Sequence, residues 1–135
     1  MITDYSSLQR WHREGVILDC NIQDSAFLTL LDRAVGRIPE MHMEDFPSFN
    51  IYAFTGKEGA MVMEDNVCFD LKVLGELPEE VQIGIIAHEF VHKFLGHGES
   101  SGLKEEAEAD QLAAAWGFER EIKAMRKQIG PPTER

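Results

Sequence analysis

Cysteine is scarce in this chain, long apolar runs are missing and basic residues are outnumbered, and each shortage removes a class of protein. Only Cys20 and Cys68 occur, too few for the disulfide frameworks that staple small secreted domains. Two free thiols suit a reducing compartment, with a single disulfide as the alternative. No run approaches the roughly 18 apolar residues of a membrane span. The start, Met1-Ile2-Thr3-Asp4-Tyr5, has no basic stretch followed by an apolar one, so no signal peptide is expected. These absences predict a cytoplasmic protein without a membrane partner. Lys and Arg number 13 against 24 Asp and Glu, a formal charge of −11. Nucleic-acid binding needs clustered cations, so a nucleic-acid partner is not expected either. The acidic excess reads as solubility rather than as attraction to a basic substrate.

What is present is 135 residues, enough for one domain with a real core, with no repeat, low-complexity tract or flexible linker. Residues 5–14 carry Tyr5, Leu8 and Trp11 at helical spacing, and Val16 to Ile22 can form a short extended piece. Asp24 or Ser25 can cap a helix whose apolar residues run from Phe27 to Ile38, with Pro39 stopping it. That helix is expected to back the core. Residues 49–55, 60–64 and 67–74 read as three strands separated by turns at Gly56–Gly59 and Asp65-Asn66. Pro78 opens a further helix at its first position, with Glu79 and Glu80 complementing the dipole, and Gly96 ends it. Gly84 within it is expected to allow close packing against the sheet. A polar turn at Gly98–Gly102 leads to a helix from Leu103 that Gly117 ends or kinks, and residues 118–128 resume as an amphipathic helix. Residues 129–135 are expected to be a frayed tail. The expected fold class is α+β, a small three-stranded sheet packed on a backing helix with two further functional helices.

Within the helix after Pro78 lies His88-Glu89-Phe90-Val91-His92. Residues four apart lie one turn apart on one helix face, so both imidazoles can reach one metal ion. Glu89 is placed to hold a water as general base. Two histidines leave a tetrahedral zinc one protein ligand short, with the fourth position open. Glu106 and Asp110, one turn apart and bordering an apolar face, supply candidates; a carboxylate there is costly unless paired or bound. Glu106 is the proposed third ligand and Asp110 its rival, while an ordinary solvated acidic helix is the bland alternative. If Glu106 is the ligand, Asp110 is placed to accept a hydrogen bond from a ligand imidazole and fix its tautomer. Glu105 and Glu108 point elsewhere and are read as solvent-facing. His97 comes too early for a third histidine ligand; an oxyanion-stabilising role at the rim and a helix-capping role stand equal. His12 and His42 have no partner at metal spacing, and Tyr52, which could polarise a carbonyl, is read as packing.

The stretch Ile86-Ala87-His88-Glu89-Phe90-Val91-His92-Lys93-Phe94-Leu95-Gly96-His97 and its continuation Glu105-Glu106-Ala107-Glu108-Ala109-Asp110-Gln111-Leu112-Ala113-Ala114 resemble the gluzincin zinc metallopeptidases. The nearest resemblance is to the ImmA/IrrE-type peptidases and covers about residues 78–117. Residues 116–127 look more like the HtpX-type peptidases and very small single-domain gluzincins. No helix-turn-helix partner accompanies the motif, so a role in repressor cleavage is not carried over. The resemblance implies a single zincin-like domain over 1–135 that binds one Zn²⁺ through His88, His92 and Glu106. It implies Glu89 as base and Asp110 as an outer partner, with His88 its recipient. The expected activity is hydrolysis of a peptide or protein substrate, which can lie along the sheet edge near residues 61–70. The alternatives are a zinc-stabilised regulatory or interaction module with an unspecified protein partner, and a latent peptidase covered by one of its ends.

Overall fold

The computed structural model describes residues 2–55, 59–97 and 102–132. Its elements are six α-helices and four strands, in the order α1 (Ser6–Arg13), β1 (Ile17–Cys20), α2 (Ser25–Arg37), β2 (Phe49–Ala53), β3 (Ala60–Met63), β4 (Asn66–Phe69), α3 (Leu71–Leu74), α4 (Glu79–Leu95), α5 (Leu103–Ala113) and α6 (Glu119–Ile129). Short 3-10 turns cover Ile2–Asp4 and Glu40–Asp45, and a π-helical turn, Ala114–Phe118, joins α5 to α6.

The fold is α+β, as the alternation of helical and strand patterns predicts, but the sheet has four strands rather than three. Their order is β1-β2-β4-β3, with β1/β2 and β2/β4 parallel and β3/β4 antiparallel. The extended piece after Val16 thus becomes an edge strand against β2. Only the β3–β4 connection is a tight hairpin, and β2 pairs with β4 instead of its chain neighbour β3. The predicted turn at 56–59 falls largely on residues outside those described.

Alternation explains which face is covered. Phe49 and Ile51 in β2, Val67 and Phe69 in β4, and Ala60 and Val62 in β3 point to one face and are buried. The predicted strand 67–74 stops at Phe69 for a local reason. The Asp70 side chain accepts hydrogen bonds from the backbone N–H groups of Lys72 (3.0 Å) and Val73 (3.3 Å), capping a turn of helix, α3.

Helix α4 is the axis of the molecule. Every residue from Val81 to Lys93 is buried, as suits a helix with apolar side chains all round. Phe90 meets Phe49 edge-on, with ring centroids 5.3 Å apart, which fastens the helix to the sheet. Pro78 is the N-cap rather than the first helical residue, and Gly96 closes the helix with φ of 76°, a left-handed turn that glycine adopts without penalty. Helix α2 starts where predicted: Asp24 accepts from the N–H of Phe27 at 2.9 Å.

Gly84 corrects another expectation. Its face meets α6, not the sheet: a Cβ built there would lie 2.4 Å from the carbonyl oxygen of Glu121. The missing side chain lets two helix backbones approach closely. Gly117, at φ of 104°, bends the chain between α5 and α6, and Arg37 secures the bend by donating to the Gly117 carbonyl at 2.6 Å and to Glu121 at 2.8 Å. The end of the tail, 133–135, and the turn at 98–101 lie outside the described residues.

Candidate metal centre

Helix α4 carries His88 and His92 one turn apart, and α5 crosses it with Glu106 and Asp110 one turn apart. The crossing brings three donors to one place. The two Nε2 atoms are 3.0 Å apart; Glu106 Oε1 lies 3.3 Å from that of His88, and Glu106 Oε2 lies 2.6 Å from that of His92. His88, His92 and Glu106 form the metal-capable group among the described residues. All three, with Glu89, are between 1% and 3% exposed.

The donor set fits a divalent cation. Bonds of about 2.0–2.1 Å in tetrahedral geometry space the ligand atoms by about 3.3 Å, and one ligand atom from each of the three residues lies within 4.8 Å of the others, near enough to share one ion. A self-satisfied imidazole–carboxylate network is the plain alternative, and the ring orientations weigh against it. Both histidines turn Nε2 inward to the same carboxylate, while each Nδ1 is engaged by an outer partner. That arrangement turns two ring nitrogens and a carboxylate toward one point, which a cation can occupy once the inward proton is lost.

The outer partners differ for the two rings. His88 Nδ1 lies 2.8 Å from Asp110 Oδ1, so the carboxylate predicted as the rival third ligand is occupied behind the ring. Asp110 also receives Arg126, whose Nε donates to Oδ2 at 2.7 Å and whose Nη2 donates to Oδ1 at 3.0 Å. His92 Nδ1 lies 2.8 Å from His97 Nδ1. The backbone N–H of His97 bonds the His92 carbonyl at 2.9 Å, so the helix is capped by the main chain while the ring backs a candidate ligand. Glu108 is not simply solvent-facing: its Oε2 is 3.7 Å from His97 Nε2. Glu105 is half-buried.

Electrostatics follow the same geometry. Burial is the largest single influence on His88 and disfavours its charged form, yet hydrogen bonds to Asp110 and Glu106, with the nearby Glu89 and Glu106 charges, lift the imidazole to about 8. Burial pushes Asp110 up, but His88 and Arg126 outweigh it and hold the carboxyl below its ordinary range. His97 moves down, through burial and then the charge of His92.

Other candidates from the sequence lie elsewhere. His12 Nδ1 is 2.9 Å from the Ile17 carbonyl oxygen, and His42 packs on Phe94 and Trp116. Tyr52 places its hydroxyl 3.5 Å from Asp19, on the face of the sheet opposite Phe49 and Ile51. Cys20 and Cys68 are both free thiols. Arg126 is the site residue that pattern reading missed. Its only signal is its place four residues after the buried Ile122, on a helix otherwise read as amphipathic packing.

Among the described residues no helix is long and apolar enough to cross a membrane. No protein-family model matches the chain, and no curated protein or solved structure matches it either. The resemblance to gluzincins therefore rests on the residues of the motif.

Proposed function

We propose that the protein is a zinc-dependent metallopeptidase of the gluzincin type with a zincin-like fold. The observation that carries the reading is the convergence of His88 Nε2, His92 Nε2 and the Glu106 carboxylate at one buried point, with Glu89 beside His88 on the same helix. Two imidazoles, one carboxylate and a position left for solvent suit zinc well. His88, His92 and Glu106 would hold the zinc, which would supply Lewis-acid polarisation of a carbonyl and a more acidic water. Glu89 takes the proton of the attacking water and returns it to the leaving amine. Asp110 keeps the His88 proton on Nδ1, which leaves Nε2 as the metal-facing lone pair.

Substrate can add as a strand to β3, the outer strand at one edge of the sheet. Lys93, one residue past His92, donates to the Glu64 carbonyl at 3.0 Å and ties the β3–β4 turn to α4. The edge and the metal centre thus share one rigid helix.

The near-complete burial of the four site residues favours a second reading, a metal-stabilised module or a latent enzyme that must open before it acts. One substitution separates the two. Glu89→Gln is expected to keep stoichiometric zinc and to lose all turnover of a peptide library that the unaltered protein cleaves. A protein that binds zinc and cleaves nothing, before or after trimming of its ends, is the module instead.

A further inference from the structure

We infer that Arg126 is a positioning residue of the metal centre, clamping Asp110 so that the His88 ring presents Nε2 to the metal. The inference rests on the metal-centre reading above and extends it to a helix that the motif does not include. A single hydrogen bond from His88 Nδ1 leaves the Asp110 carboxylate broadly free about its last torsion. The guanidinium removes that freedom. It meets both carboxylate oxygens, at 2.7 and 3.0 Å, and so fixes the plane in which Oδ1 meets the imidazole at 2.8 Å. A turned ring would bring a carbon to the metal position in place of Nε2, so control of ring orientation is control of a ligand.

One ion pair of α6 shows what a surface tether looks like here, while Arg37–Glu121 is partly buried. Lys123–Glu119 is exposed at both ends, with side chains 76% and 68% accessible, and such pairs contribute little. The Arg126–Asp110 side chains are only 19% and 16% accessible, and Asp110 Oδ1 is shared with a metal-facing histidine. A tether between α5 and α6 needs no such third member. Two glycines bring Arg126 into place: Gly117 turns the chain back, and Gly84 lets α6 lie against α4.

The test is a double-substitution cycle read by zinc affinity, in competition with a chromophoric chelator. It is run at a temperature where each metal-free variant is folded by circular dichroism. Arg126→Met is expected to weaken zinc on the order of tenfold, and Arg126→Lys, which keeps the charge but not the fork, by a smaller factor. In an Asp110→Asn background the same changes are expected to alter affinity by less than about twofold, because the clamp has no ionised carboxylate to hold. Should Arg126→Met fail to fold, the Arg126→Lys cycle carries the comparison. Unchanged affinity in Arg126→Met overturns the inference alone, as does an equal loss with and without Asp110, the mark of a merely structural residue. Absence of zinc binding by the unaltered protein overturns the metal-centre reading and this inference with it. Coupled affinities without peptide cleavage uphold the clamp and sink only the peptidase reading.

Discussion

His88 shows how much one side chain can hold at the residue scale. It belongs to the helix by backbone, to the metal group by Nε2 and to Asp110 by Nδ1. Its imidazole is lifted from 6.5 to about 8 in the folded protein. A folded pKa raised above the unfolded one stabilises the protonated fold below about 6.5, and this contribution disappears as pH rises through about 8. The metal-free protein is therefore expected to lose thermal stability between those values. The same proton competes with the metal, so apparent zinc affinity is expected to rise by up to about tenfold per pH unit across that window and then level off. Calorimetric titration at pH 6 to 9 checks this, and a flat profile would remove His88 from the ligand set. Asp110→Asn is expected to lower affinity on the order of 10- to 100-fold, since a neutral amide replaces the charged acceptor that orients the ring. His97 belongs to this scale too. Its place one residue beyond a left-handed Gly96 turns its ring back onto His92, which a count of residues between histidines does not reveal.

Helices decide whether these side chains meet. The i, i+4 spacing of His88 and His92 and of Glu106 and Asp110 is a property of each helix alone. The crossing of α4 and α5 is a property of the pair, and the placement of α6 depends on Gly84. Gly84→Ala adds about 1 kcal/mol of helix preference, but its Cβ meets the Glu121 backbone at 2.4 Å. Backbone cannot yield as a side chain does, and overpacking of this kind costs about 1–3 kcal/mol. Because the clash is with backbone, the upper part of that range, about 2–3 kcal/mol, applies, and a net destabilisation of about 1–2 kcal/mol is expected, read as a lower denaturant midpoint, together with weaker zinc binding as Arg126 moves away. Equal or greater stability in Gly84→Ala would show that α6 does not lie where described.

For the whole molecule, the candidate metal centre and the core are one object. Helix α4 holds both candidate histidine ligands and the residues that pack on the sheet and on α6, so ion binding and folding are linked. Zinc at a hundredfold excess over its dissociation constant is expected to add about 2.7 kcal/mol, a rise on the order of 10 °C in melting temperature for a chain of this size. Stripping with a chelator should reverse the shift, and His88→Ala should show none. A shift of equal size in His88→Ala would mean that zinc binds elsewhere, most simply on the acidic surface that the charge of −11 creates.

Local chemistry was legible without coordinates wherever a single helix or turn enforces it. Periodicity marks α2 and α4, glycine marks the end of α4 and the bend after α5, and the H-E-x-x-H spacing marks the two imidazoles on one face. Glu106 was legible because an acidic pair beside an apolar face asks for a partner. What stayed hidden depends on chain segments far apart in sequence. Parallel pairing of β1 with β2 joins Ile17 to Phe49 across a helix, and no local pattern encodes such a pairing. The cap at Asp70 overrode a strand pattern because one carboxylate satisfied two backbone donors at once. Arg126 reaches Asp110 only because α6 returns along α4. The amino-acid sequence by itself determined which residues can ligate a cation, since spacing on one helix is set by backbone geometry. Tertiary structure alone decided which carboxylate faces the imidazoles and which stands behind them, because that choice depends on how helices cross.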